Sequence, residues 1–503
     1  MLPVINHLVA EPPAPGHRIH FVRLGRTHTM DLRELYDRAG RLAVALGEAG
    51  VRRGDRIGIL AGNGPEWVTL DLAALRIGAV TTGFDPDKFA VDPALVERYR
   101  LTLLFAEGAR PAGAVRPIEE VGALVDRVAP GRAPAPIGYA PDDVTTLKLT
   151  SGSTGEPKGM TASVGSIDSA LHAVQAMFGH GDGDNLFVFL PLSVLQQRYW
   201  IYSALRFGHD VTICTYQAAF PALAAVAPTV VMGVPGFYET ARTHIEALAG
   251  GDDAAVPVRA RQLFGDRIRY LWTGSAPARP DTVRFFTELG MPLFEGYGLN
   301  EACIVTKNHP GAFRPGSVGK PLPGKEILFD EDGRIQVRSD WPVSRRYEYA
   351  APGESERMFG ADGVVRTGDL GYLDADGFLY VLGRADDVIV LDNGRKVIVR
   401  PMEERLKASP AIAECVVFCP DQTNLVAVVS PAGAADERAI ATHLAAANAA
   451  AGRDEQITRL VVAREPFSVD NGLLTSQLKP KRRRILQAYR SEIYDSQETV
   501  HAP

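Results

Sequence analysis

Residues 149 to 159, LTSGSTGEPKG, gather groups that bind anions: three glycines, four hydroxyl side chains and Lys158. Glycines let the backbone approach a ligand closely, and successive N–H groups can then converge on phosphate oxygens while the hydroxyls and the ammonium add donors. An ordinary surface turn can have the same composition. The spacing is not that of a P-loop, because Lys158 follows Gly155 by three residues and precedes Gly159 rather than Ser or Thr. That weighs against a kinase or ATPase that releases ADP. Four other stretches could supply partners for the loop: LWTGSAP at 271–277, FEGYGLNEA at 294–302, RTGDLGYLDADGFLYVLGRADDVIV at 366–390 and NGLLTSQLKPKRR at 471–483.

Regular elements must hold such a loop in place. Residues 31–50 set apolar side chains at 32, 35, 39, 42 and 46, the spacing of an amphipathic helix, with Asp31 as N-cap and Gly50 as the stop. DRIGIL then reads as a strand, PEWVTLDLAALRIG as a helix with Pro65 in its first turn, and AVTTGF as another strand. The alternation repeats around the loop, with VTTLKLT before it and the helical SVGSIDSALHAVQAMF after it. Further strands are predicted at NLFVFL, DVTICT, TVVMGV and IRYLWTG. Alternating strands and helices predict a mostly parallel sheet covered by helices. Near residue 310 prolines and glycines become frequent, and short β segments follow at EILFDEDGRIQV and GFLYVLG. A smaller α+β unit begins near 384 and contains DDVIVL, AECVVFC, NLVAVVS and an alanine-rich helix, and alanine there needs no special role because it is the best helix former. The expected architecture is α/β: a large N-terminal domain, 1–383, with a β-rich subdomain, and a small C-terminal domain, 384–503, which the family resemblance given below implies is mobile. No internal repeat is visible.

Composition narrows the partners. A chain of 503 residues, 46% hydrophobic, has material for two or more cores. A formal charge of −6 gives no global positive field for nucleic acid or acidic lipid, so any anion site must be local. Cys214, Cys303, Cys415 and Cys419 form no CxxC pair or Cys/His cluster. The N-terminus has no leader pattern, and the stretch PALAAVAPTVVMGVPGF is too interrupted by proline to span a bilayer. A cytoplasmic protein without integral membrane association is expected.

Taken in order, the five motifs resemble the adenylate-forming (AMP-binding) superfamily, which includes acyl-CoA synthetases, firefly luciferase and the adenylation domains of peptide synthetases. The resemblance covers essentially the whole chain. FLPLSVLQQR, VVMGVPGFYE and EPFSVDNGLLTSQLKPKRR are most similar to long-chain fatty acyl-CoA synthetases. It implies that a carboxylic acid attacks ATP to give an acyl-adenylate and pyrophosphate, and that the acyl group passes to a thiol, usually that of coenzyme A. An amine or a carrier-protein thiol stays open as the acceptor. The chemistry requires charge neutralisation on the phosphates, an in-line nucleophile and exclusion of water from the anhydride.

The resemblance also implies roles. Thr150, Ser151, Gly152, Ser153, Thr154, Gly155 and Lys158 would cradle the β- and γ-phosphates, and Glu301 would hold magnesium. Tyr297 would pack on adenine, with Gly274, Ser275, Ala276 and Pro277 on the other side and Glu295, Gly296, Gly298 and Asn300 completing the ATP-binding motif. Asp369 and Arg384 would serve the ribose, and Lys479 would reach the α-phosphate and the carboxylate. Asp386 stands at the hinge position, Gly394 beside the coenzyme A channel. Lys481 and Arg482 to Arg484 would stay solvated or meet the phosphates of coenzyme A. Val194, Gln196, Trp200, Gly274 and Ile304 would line the acid pocket. The chain departs from the long-chain pattern at Val194, usually histidine, at Asn300, usually a hydroxyl residue, at Gly236, usually arginine, and in a compressed segment after Gly83. These departures leave room for an aromatic, alicyclic or otherwise specialised acid.

Overall fold

The computed structural model describes residues 3–150, 157–360, 362–393, 395–475 and 478–494, with no side chain described at 150. The helix Leu32–Glu48 is capped as its sequence predicts: the Asp31 carboxylate accepts from the backbone N–H of Arg33 at 2.7 Å. The next, Pro65–Ile77, begins with proline and ends at Gly78 in the left-handed region, φ 74°. Its side chains from Trp67 to Arg76 are all buried, so it is a core helix rather than a surface one.

The chain divides into two compact units, Met1–Leu328 with Gln336–Arg366, and Phe329–Ile335 with Thr367–Pro503. The first contains two large sheets. One runs Val115–Pro117, Leu103–Ala106, Arg56–Leu60, Val80–Phe84, Val144–Thr150, Lys158–Ser163; the first five strands are parallel and the last is antiparallel. The other runs Leu293–Phe294, Tyr270–Trp272, Val230–Met232, Asn185–Val188, Asp210–Cys214, Arg18–Arg23, Arg26–Asp31, parallel except for the final pair. Parallel strands covered on both faces need apolar runs, which is what NLFVFL and TVVMGV supply. A smaller antiparallel sheet, Gly296–Leu299, Cys303–Lys307 and Lys320–Pro321, carries the GYGLNE motif.

The second unit has its own α+β core. Ile412–Phe418, Leu425–Pro431 and Ile457–Val462 form a three-stranded sheet that packs on the helices Val399–Lys407 and Glu437–Ala449. Among the described residues no helix is long and apolar enough to cross a membrane. The stretch that begins PALAAV folds as parts of a short helix, Ala219–Val226, a strand and the helix Pro235–Ala249.

Two histidines are buried under the second sheet. His209 Nδ1 donates to the carbonyl of Asp210 at 2.8 Å and its Nε2 accepts from Ser203 at 2.9 Å, while His180 Nε2 lies 2.5 Å from the Tyr270 hydroxyl. Burial pushes His180 down to about 3 and His209 down to about 4. Both remain neutral in the folded chain where an unfolded histidine would take a proton, so their contribution to stability is present above about pH 6.5 and is lost as pH falls toward 4 and 3. Each pH unit lost in that window is expected to remove about 1.4 kcal/mol per histidine. Thermal melting between pH 7 and pH 5 should show the decline, and His209→Gln should flatten it.

Candidate active site

The strand Val144–Thr150 and the strand Lys158–Ser163 pair as a hairpin, with Thr150 opposite Lys158 in register. Ser151, Gly152, Ser153, Thr154 and Gly155 lie outside the described residues, as do the Thr150 side chain and Gly394. Lys158 pairs with Glu354 at 2.9 Å and its ammonium lies 5.0 Å from the centre of the Tyr347 ring. The Tyr347 hydroxyl in turn donates to Glu301 at 2.7 Å. Burial and the neighbouring Glu301 carboxylate push that phenol up, so it stays a donor. Lys158 and Glu301, predicted for phosphate and magnesium, are thus linked through Tyr347, and Glu354 is the ion-pair partner of the lysine. Sequence reading named neither, because nothing in RRYEYAAPGESER marks a partner for a lysine far away in the chain.

Around GYGLNE the backbone is tight. A side chain at Gly298 would meet the Cys303 carbonyl at 2.3 Å, and the register shifts at Tyr297/Gly298 to carry the chain into the turn that presents Asn300 and Glu301. Lys148, buried on the strand that leads into the glycine-rich segment, donates to the Asn300 carbonyl at 3.0 Å. Burial lowers its ammonium, against the opposing effect of Cys303 and Glu301. Lys307 is fully buried; it donates to the carbonyls of Thr273 and Phe294 at 2.7 and 2.8 Å, and its ammonium lies 3.7 Å from the Trp272 ring centre. It therefore joins the TGSAP segment to the EGYG segment. Their backbones are also close, since a side chain on Gly274 would stand 3.3 Å from the Gly296 carbonyl. Glu295 turns inward and accepts from the backbone N–H of Ala278 at 3.0 Å, bracing Gly274, Ser275, Ala276 and Pro277. Tyr297 is half-buried.

Of the residues predicted for the acid, Val194 and Gln196 are half-buried at the start of the helix Leu195–Phe207. Trp200 and Ile304 are buried in the main core, and Trp200 meets Trp272 edge-on at 5.2 Å. Beside them, Arg198 bonds Asp71, Thr81 and Thr146 at 2.9 to 3.3 Å, and Tyr202 donates to the same Asp71. A signal for this network was present: an aspartate inside the apolar helix TLDLAAL needs a cation.

In the second unit Asp369 and Arg384 face each other across antiparallel strands and pair at 3.1 Å. Gly368, at φ 71°, leaves room for the guanidinium, which would lie 3.0 Å from any side chain there. Arg384 also pairs with the exposed Asp386 at 3.5 Å. Lys479 is half-buried; burial lowers its ammonium, Asp369 opposes that and Arg400 adds to it. The residues Thr475 and Lys479 close a turn through two hydrogen bonds of 2.8 and 3.1 Å. The expectation that Arg482 stays solvated or meets coenzyme A is corrected: it turns inward, to Glu403 at 2.5 Å, the Val417 carbonyl at 2.6 Å and Asp387 at 3.5 Å. A guanidinium with such partners anchors the segment that carries Lys479.

The role of Lys307 is testable. Lys307→Ala should cost about 2–4 kcal/mol through a cavity and an unsatisfied carbonyl, and raise the KM for ATP. Lys307→Met restores the volume without the hydrogen bonds, so melting should recover only in part, by the cavity contribution, and the KM should not recover.

Residues 11–339 match the family described as AMP-binding enzyme, and residues 386–500 match the AMP-binding enzyme C-terminal domain. The long-chain-fatty-acid–CoA ligase FadD15 of Mycobacterium bovis is 29% identical, over 90% of each chain. The adenylation domain of a carboxylate reductase from Mycobacterium chelonae shares the fold with a TM-score of 0.77 at 22% identity, over 98% of this chain and 90% of that one. ATP-bound MatB of Rhodopseudomonas palustris shares it with a TM-score of 0.79 at 21% identity, over 97% and 99%. The chain belongs to the AMP-binding enzyme family.

Proposed function

We propose that the chain activates a carboxylic acid with ATP, forming an acyl-adenylate and pyrophosphate, and then transfers the acyl group to the thiol of coenzyme A. Family membership and the likeness to a fatty-acid–CoA ligase support the reading. The observation that carries it is the second unit's arrangement: a carboxylate–guanidinium pair, Asp369 with Arg384, and a half-buried lysine, Lys479, within electrostatic reach of that carboxylate. A phosphoryl transferase has no need of a late lysine beside a ribose-binding carboxylate.

In this reading the phosphate loop and Lys158 hold the leaving pyrophosphate. Tyr297 and the Gly274 to Pro277 segment hold adenine, and Asp369 accepts from the ribose hydroxyls. Glu301 is a single carboxylate steadied by Tyr347, which suits magnesium that arrives with the triphosphate, since that ion takes one or two carboxylates and completes its shell with phosphate and water. When bound, magnesium neutralises phosphate charge. Asn300 offers an amide in place of the usual hydroxyl, still a donor for the α-phosphate. Val194, Gln196, Trp200, Gly274 and Ile304 receive the acid. Lys479 stabilises charge that develops on the α-phosphate, and the smaller domain, 384–503, turns about Asp386 to admit the thiol beside Gly394. The four cysteines are free and spaced without pairs, in keeping with a cytoplasmic setting.

Acid-dependent release of pyrophosphate, measured over a broad panel of carboxylic acids with and without coenzyme A, tests the reading. AMP and pyrophosphate are expected, and turnover that yields only ADP and orthophosphate would refute it. An ammonium about 4 Å from a developing charge contributes about 4 kcal/mol at an effective dielectric near 20, so Lys479→Ala should slow adenylation by about 10²–10³-fold. Asp386→Pro should spare adenylation and impair thioester formation in single-turnover assays; equal loss of both half-reactions contradicts a hinge at that position. A carrier-protein thiol or an amine in place of coenzyme A, offered to pre-formed adenylate, identifies the acceptor.

A further inference from the structure

Tyr347 and Glu354 meet the two first-unit residues assigned above to phosphate and magnesium, and both are held firmly. The Glu354 oxygen that does not face Lys158 accepts from the backbone N–H of Ala351 at 3.1 Å. The backbone N–H of Tyr347 donates to Ser355 at 2.9 Å, and that of Glu348 to the carbonyl of Gly159 at 2.7 Å. Gly159 permits this contact, because a side chain there would stand 2.8 Å from the Tyr349 ring. The segment from 347 to 355 is therefore clipped to itself and to the residue after Lys158.

A carboxylate and a phosphate compete for the same ammonium. Glu354 lies 2.9 Å from Lys158, and both side chains are mostly buried, at 12% and 14% exposure. The Lys158 ammonium thus has a carboxylate partner within the fold itself. A triphosphate brought to Lys158 would put further negative charge beside Glu354, so the two anions cannot share the lysine without repulsion. Tyr347 is neutral, and its ring and hydroxyl touch Lys158 and Glu301 respectively. It can therefore fix the Glu301 carboxylate without competing for a cation.

We infer that Glu354 is the internal anion that Lys158 exchanges for the β- and γ-phosphates, and that Tyr347 is a positioning residue that holds Glu301 toward magnesium. The inference rests on the assignments of Lys158 and Glu301 in the proposed function. Glu354 keeps the lysine neutralised in the free chain, weakens the grip on triphosphate and, by taking the lysine back, promotes the departure of pyrophosphate.

Calorimetric titration of the full chain with inorganic pyrophosphate and with ATP, each in magnesium and in excess chelator, tests both parts. Glu354→Gln, similar in shape and uncharged, is expected to bind both ligands about three- to tenfold more tightly than the native chain. Glu354→Ser is the second variant, expected to act in the same sense should the first fail to fold. Lys158→Met serves as the control and should lose affinity. Weaker binding by Lys158→Met together with unchanged or weaker binding by the Glu354 variants overturns the exchange. No effect of Lys158→Met overturns the assignment of Lys158 itself, and the exchange with it. Tyr347→Phe removes only the hydroxyl and should raise the magnesium concentration for half-maximal ATP binding about two- to fivefold, leaving affinity in chelator unchanged. An equal change in both conditions is what a merely structural tyrosine would give, and overturns its role toward Glu301.

Discussion

A cation taken out of water must be given oxygens, and that constraint organises the first unit. Lys148, Lys307 and Arg198 are all buried, and each spans a gap that regular hydrogen bonding leaves open. Lys148 ties the strand Val144–Thr150 to Asn300. Lys307 ties Thr273 to Phe294. Arg198 ties the helix that follows LPLS to Asp71 and to two strands of the first sheet. The two lysines have main-chain carbonyls as their hydrogen-bond acceptors, so they fix backbone positions where side chains alone would leave slack. A long flexible side chain loses conformational entropy when fixed in this way, which is tolerable when it orders several strand ends at once.

Glycine supplies the complementary constraint. Gly298 sits against the Cys303 carbonyl and Gly274 approaches Gly296, so the segments that resemble the adenine site meet backbone to backbone. Side chains in either place would push Tyr297 and the turn at Asn300 and Glu301 apart from the TGSAP segment. Cations pull these segments together and glycines let them touch. The second unit solves a similar problem with opposite charges, Asp369 on Arg384 and Glu403 on Arg482, because its strands are partly exposed and a carboxylate is less costly to keep near water.

Much of this was legible before any coordinates. Asp31 and Pro65 announce helix starts, and both helices begin there because the cap and the missing N–H act locally. The apolar runs NLFVFL and TVVMGV fold as parallel strands because a sheet covered on both faces needs no polar alternation. Resemblance alone singled out Asp369 and Arg384, and a local hairpin sets them opposite each other. The inward turn of Arg482 was not expected. In the sequence it is one of several basic residues in KPKRRR, and only the positions of Glu403 and Val417, dozens of residues earlier, distinguish it from its neighbours.

The sequence by itself determined the order of strands and helices, the family, and the chemical types gathered in each motif, because these depend on near neighbours and on residue identity. Tertiary structure decided which distant groups complete them: Glu354 for Lys158, Tyr347 for Glu301, Lys307 for the TGSAP and EGYG segments. The physical reason is range. Caps, turns and periodicity act over a few residues, whereas an ammonium or carboxylate removed from water takes its partner from whatever the folded chain brings within about 3 Å, and no spacing along the chain encodes that choice.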